Sequence, residues 1–199
     1  TVVGLQGKQQ KWMTKDDEKE FSWQPLFHID LFMTLGGKVG GRNCECIFLG
    51  NAIMTRTLLE SAKKTGKHIY LPTVDPPLDT RLAEIRANFS GESYQVIDLP
   101  IYCFESVCYS WNNCLVEVTT NAKRVYLPSY LTEQDEEHLN PTFETLESEV
   151  EKIFMDAGFE PIWIRSGRFF RIIASHGGSL HCVMKVLRRG QYQPVAPGQ

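Results

Sequence analysis

Among the side chains able to do covalent chemistry, Cys182 stands out. It follows Gly177-Gly178-Ser179-Leu180-His181 and precedes the apolar run Val183-Met184-Lys185-Val186-Leu187. Paired glycines let a backbone bend tightly or approach a ligand closely, so a thiol just beyond them, at the mouth of an expected strand, is placed for presentation to a substrate. Residue type alone does not decide this, because a cysteine ahead of an apolar strand reads by default as a small buried hydrophobe. The second chemical feature is His28-Ile29-Asp30, inside the otherwise apolar run Leu26 to Met33. On a strand, residues i and i+2 face the same way, which puts the imidazole and the carboxylate on one face and Phe27, Ile29 and Leu31 on the other. Burying both polar groups is costly unless they are paired or used. A thiolate attacking an electrophilic carbon needs a proton shuttle for the leaving group, a role for His28, and a group that holds a cationic substrate, a role for Asp30. A carboxylate suits a guanidinium, whose paired N–H donors it accepts bidentately while the central carbon stays open to sulfur.

The elements that position these residues follow from periodicity. Phe21 to Leu35 reads as a strand region, Gly36 to Gly41 as a flexible turn, and Cys44 to Leu49 as a strand. Leu58, Leu59 and Ala62 place a helix over Ile53 to Lys64 with Gly66 as its stop, and His68 to Leu71 reads as a short strand ended by Pro72. Leu78, Leu82, Ile85 and Phe89 fall at helical spacing behind Pro76-Pro77, and the chain returns as a strand over Gln95 to Leu99. A second unit repeats this layout. Cys114 to Val118 is a strand, Val125 to Ser129 echoes Ile69 to Thr73, a helix capped by Asn140-Pro141 runs to Gly158, and Pro161 to Arg165 returns. Ser110-Trp111-Asn112-Asn113-Cys114 likewise resembles Gly178-Ser179-Leu180-His181-Cys182, so special residues recur at loop-to-strand junctions of a quasi-repeat. On a strand His181 faces away from the Cys182 thiol, and its expected role is structural.

The whole chain bounds the function classes. It has 199 residues, 42% hydrophobic and 23% charged, which is enough for one compact core. The net charge is −3, with no basic stripe for nucleic acid or anionic lipid. No apolar run approaches the roughly 20 residues that span a bilayer, and the N-terminus lacks a signal-peptide layout. Residues 1–20 are a polar segment or linker ending in the solvated charge run Lys15 to Glu20, residues 21–190 form the domain, and residues 191–199 are a tail. Six cysteines are expected as free thiols in a reducing, cytoplasmic setting, since a domain of this size does not depend on disulfides. Cys44-Glu45-Cys46 and the pair Cys103 and Cys108 lack zinc-ligand spacing. Asn88-Phe89-Ser90 is a glycosylation sequon by pattern only.

Taken together, His28-Ile29-Asp30 and the downstream Gly177 to Cys182 segment resemble the guanidino-group-modifying enzymes: agmatine, arginine and peptidylarginine deiminases and arginine:glycine amidinotransferases. Ser110 to Asn113 is similar to a Ser-aromatic-x-Asn segment of agmatine deiminases, and Tyr126 to Tyr130 to their strand ending in Pro-x-aromatic. Arg188-Arg189 is similar to an arginine pair of amidinotransferases and peptidylarginine deiminases. The resemblance, over residues about 20 to 190, implies an α/β fold of the pentein type, a fan of ββαβ units around a substrate channel, of which this chain supplies about three of five. It implies that Cys182 attacks the guanidinium carbon to form a thiouronium, that His28 protonates the departing amine and activates water or an acceptor amine, and that Asp30, with the Gly178 backbone, binds the substrate. No cofactor and no metal are implied. The expected partner is a guanidino small molecule or an arginine side chain, with no nucleic acid and no membrane.

The pattern departs from the family in one respect: a further acid upstream of the His-x-Asp, which grips the other side of the guanidinium, is lacking. The chain is therefore expected to be a C-terminal part that needs an upstream half or another polypeptide. The long separation between the two motifs favours a hydrolase. An amidinotransferase using the same residues and a non-catalytic interaction module of the same fold are the alternatives, and a papain-like arrangement fits poorly because no aromatic follows Cys182.

Overall fold

The computed structural model describes residues 28–38, 45–89, 93–119, 121–133 and 137–184. Strands β1 (Met33–Lys38), β2 (Glu45–Asn51), β3 (Tyr94–Phe104) and β4 (Val107–Ser110) lie in that order in one sheet. Strands β5 (Leu115–Val118), β6 (Lys123–Ser129) and β7 (Glu160–Arg165) form another. In each sheet the first strand runs antiparallel to the second, and the second parallel to the third. Parallel neighbours require a crossover, which is supplied by helices α1 (Ala52–Lys64) and α2 (Pro76–Asn88) in the first unit and by α3 (Asn140–Asp156) in the second. The chain is thus α/β, and two ββαβ units are complete among the described residues. Two short helices follow, α4 (Gly167–Ser175) and α5 (Leu180–Val183).

Local chemistry accounts for the element boundaries. The Asn51 side chain caps α1 by accepting from Met54 N at 2.8 Å, and Gly66, at φ +89°, adopts the left-handed conformation that ends it. Asp75 caps α2 by accepting from Leu78 N at 3.1 Å, with prolines in the first turn where no amide partner is needed. Strand β2 is buried from Cys46 to Gly50 because both of its faces are covered. Its neighbours Phe48 and Leu49 point to opposite faces and fall in different clusters. The larger cluster joins the units, since Phe143, Leu146, Val150 and Phe154 of α3 pack with Phe48 and Leu59 of the first unit.

Several expectations are corrected. Strand β1 begins at Met33, after a 3-10 turn at Ile29–Leu31, so His28 and Asp30 are not on a strand. Gly36 to Lys38, expected in a turn, continue β1 through a bulge in which Gly37 takes φ +68°, while a Cβ on Gly36 would lie 2.7 Å from the Phe48 ring. His68 to Leu71 is not a strand. Tyr70 N donates to Thr142 Oγ1 at 3.0 Å, and just beyond the segment Thr73 N donates to Cys103 O at 2.8 Å. The counterpart of Val125 to Ser129 by topology is therefore β2, not Ile69 to Thr73. Asn140 is the first residue of α3 rather than its cap, and its amide bonds Thr132 and Arg171 instead. Cys103 and Cys108, partners across the β3–β4 hairpin, are joined as a disulfide rather than free. Cys182 lies in the helical turn α5 and not at the start of a strand.

The expectations for residues 1–27, for the remainder of the Gly36 to Gly41 turn, for Cys44, for Ser90 of the sequon, for Arg188-Arg189 and for the 191–199 tail lie outside the described residues. Among the described residues no helix is long and apolar enough to cross a membrane.

Candidate active site

Three turns of the chain meet at one corner of the molecule: His28 to Phe32 ahead of β1, Ser110 to Cys114 ahead of β5, and Ser179 to Val183. The first is anchored by burial of Leu31 and Phe32. Its carbonyls are taken up, with Phe32 O accepting from Gly50 N at 2.7 Å and Leu31 O from the Ser110 hydroxyl. Anchoring the C-terminal half of the turn leaves its other half outward, so that His28 is exposed and Asp30 partly buried. In the second turn Asn112 N donates to Ser110 Oγ at 3.1 Å and Cys114 N to Asn112 O at 2.8 Å, a local side-chain and backbone alternative to a ladder. The third turn follows α4, where Gly177, at φ +75°, donates to Ala174 O at 2.9 Å.

Tyr130 ties the second turn to the third. Its hydroxyl donates to Ser110 O at 3.0 Å, receives Ser110 N at 3.3 Å and pairs with Ser179 Oγ at 2.8 Å. Full burial raises its phenol well above the usual range, so it acts as a neutral hydrogen-bonding post. Tyr130 is itself held from behind. Its amide donates to Glu147 Oε1 at 2.6 Å, and its carbonyl accepts from Arg171 Nε at 2.7 Å. Burial pushes the Glu147 carboxyl up to about 7, against the opposing pull of the Tyr130 amide and the Ser129 hydroxyl.

The polar groups converge on Asp30 and Cys182. Asn113, fully buried, donates from Nδ2 to Asp30 Oδ2 at 2.9 Å and to Cys182 Sγ at 3.2 Å. His181 Nδ1 lies 2.9 Å from the same Asp30 oxygen, and the thiol reaches it at 4.0 Å. All of these contacts fall on Oδ2, so Oδ1 carries none among the described residues. The Cys182 thiol is exposed. Gly178 packs against it, since a Cβ there would lie 3.5 Å from Cys182 Cβ, 3.6 Å from Sγ and 3.0 Å from Ile173 Cγ2. Among the described residues no group of His, Cys, Asp and Glu is arranged to hold a metal ion.

The structure thus brings together Cys182, Asp30 and Gly178. His28 stands at the N-terminal end of the same turn as Asp30, its carbonyl accepting from Leu31 N at 3.1 Å. The imidazole bonded to Asp30 is that of His181, which overturns its assignment as a side chain facing away from the thiol. On the helical turn α5, successive side chains diverge by about 100° rather than 180°, so both His181 and Cys182 reach Asp30. Sequence reasoning passed over two further residues. Asn113 belongs to the Ser110 to Asn113 segment, whose recurrence marked the place without its role, and Tyr130 closes the Pro-x-aromatic stretch. Neither a protein-family model nor a curated protein sequence matches this chain.

Proposed function

We propose that this chain carries the cysteine side of a guanidino-group hydrolase, a deiminase of arginine, agmatine or peptidyl-arginine type. The observation that supports it most is the placement of an exposed thiol beside a partly exposed carboxylate whose contacts among the described residues all fall on one oxygen. Asp30 Oδ1 accepts an N–H of the guanidinium, and the guanidinium carbon then lies within reach of Cys182 Sγ. The thiolate adds to that carbon, the C–N bond to the terminal nitrogen breaks, and ammonia leaves with a proton from an imidazole. Water then attacks the thiouronium, the C–S bond breaks, and the ureido product departs as the thiol regains its proton. His28, at the outer end of the Asp30 turn, and His181, on Asp30 itself, are the two imidazoles available for that shuttle. The reaction needs no cofactor, because the substrate carries its own electrophile.

The pentein fan is part of the same proposal. Two ββαβ units with polar junctions at one corner support it, and the remaining units and the second guanidinium-gripping acid come from outside the described residues or from another polypeptide. The cytoplasmic setting rests on the unpaired thiols Cys114 and Cys182; the Cys103–Cys108 disulfide argues the other way.

The experiment is ammonia release from agmatine and from a peptidyl-arginine by the native protein that contains this chain. The expected result is release without an added amine, abolished in Cys182→Ala. Formation of putrescine from agmatine, or of peptidyl-ornithine from the peptide, only when an acceptor amine is present makes the protein an amidinotransferase. Turnover unchanged in Cys182→Ala overturns the assignment.

A further inference from the structure

The corner where the turns meet has one fully buried polar side chain whose every hydrogen-bonding valence is spent on the site. Asn113 Nδ2 has two hydrogens, and they reach Asp30 Oδ2 at 2.9 Å and Cys182 Sγ at 3.2 Å. Its Oδ1 has two lone pairs, and they receive His181 N at 2.7 Å and Cys182 N at 3.4 Å. This is the full capacity of a carboxamide. The acceptor side also fixes which way the amide points. A reversed amide would set its NH2 against two backbone N–H groups and its oxygen against a carboxylate, three repulsive contacts in place of three bonds.

We infer that Asn113 is the positioning residue of this site: it anchors the α5 turn by its oxygen and, by its nitrogen, stabilises the anionic sulfur of Cys182 beside the anionic Asp30. The problem it solves is specific. The attack on a carbon requires the thiolate, which then lies 4.0 Å from a carboxylate of like charge. Two N–H donors from one rigid amide, one on each anion, offset that repulsion with charge-assisted bonds and hold sulfur and carboxylate at fixed separation. The chain topology explains why the donor comes from this position. Asn113 lies at the junction ahead of β5, which Tyr130 clamps to the Ser179 junction, so the amide is braced by one unit while it serves the cysteine of the next stretch.

The role rests on the proposed chemistry of Cys182, but its test uses no guanidino compound. Alkylation of Cys182 by iodoacetamide, a neutral reagent that reads the thiolate, is followed by peptide mass mapping at pH 7 and at pH 10 in the 199-residue chain. Asn113→Asp keeps the acceptor oxygen for the α5 amides and replaces both donors by a further anion. The expected result is a fall of about tenfold in rate at pH 7, with rates at pH 10 within about twofold of the unsubstituted protein. An unchanged rate at pH 7, or an equal fall at both values, overturns the inference. Because Asn113→Asp can fail to fold, a second reading uses the unsubstituted protein labelled with 15N. One asparagine side-chain NH2 pair moves as pH rises and stays fixed in Cys182→Ala; absence of any pair that depends on Cys182 contradicts the role. A failed deiminase assay with these outcomes intact removes the proposed reaction and leaves Asn113 in place, and the reverse pattern removes Asn113 alone.

Discussion

Cys114 and Cys182 occupy junctions that look alike in sequence and differ in everything that governs reactivity. Cys114 leads directly into β5, which carries its side chain into the core, where the thiol reaches Thr34 Oγ1 at 3.9 Å. Burial pushes it up to about 12, so it is a neutral, inert thiol at any ordinary pH. Cys182 enters a helical turn and stays exposed, with Asn113, Asp30 and His181 around it. A repeat therefore dictates where a residue sits, while the element that follows dictates what it becomes. The two junctions are also complementary, because the asparagine before the buried cysteine serves the exposed one.

The comparison can be broken at either thiol and sharpened at the residues that join them. The largest effect is expected at Cys182→Ala, which should remove the Cys182 adduct formed by iodoacetamide in the folded protein, whereas Cys114→Ala should leave that labelling in place and lower stability by about 1 kcal/mol in chemical denaturation. Next comes Glu147, which holds the Tyr130 post. Its carboxyl is raised from the ordinary carboxylate value to about 7 in the folded state, so the protonated form favours folding. That contribution is complete below about pH 4.5 and disappears as pH rises through 7, a loss on the order of 3 kcal/mol. Urea midpoints measured between pH 5 and 8 should fall accordingly, and the slope should flatten in Glu147→Gln. Tyr130→Phe leaves Ser110 and Ser179 without their shared partner, and denaturation should show a loss of about 1–3 kcal/mol. The same substitution uncouples the junctions, so Cys182 alkylation at pH 7 should slow while Cys114 stays unlabelled.

Much of the architecture is legible in the sequence, because it rests on local signals. Pro76-Pro77, Gly66 and Gly158 mark helix ends by their own chemistry, and the repeated strand, helix, strand order survives as two ββαβ units. What escaped depends on partners distant in the chain. His68 to Leu71 is apolar enough for a strand, yet Thr142 takes its Tyr70 amide. The α5 turn looks like the start of a strand until Asn113, 69 residues away, takes the Cys182 amide. Of the candidate site, Cys182, Asp30 and Gly178 are singled out by their motifs, and the fold brings them together. Asn113, His181 and Tyr130 act through tertiary hydrogen bonds that no spacing encodes, and the Cys103–Cys108 pairing depends on the β3–β4 register.

The central claim is that the Cys182 junction recognises a planar cation through Asp30. It is tested most directly by labelling the folded chain with 2-chloroacetamidine and with its neutral counterpart 2-chloroacetamide, in the unsubstituted protein and in Asp30→Asn, with adducts assigned by peptide mass mapping. The account predicts an adduct on Cys182 and none on Cys114, with the amidine-to-amide rate ratio at Cys182 falling about tenfold in Asp30→Asn as the carboxylate partner of the cation is lost. A ratio that is the same in both proteins, or amidine adducts on Cys114, would contradict it.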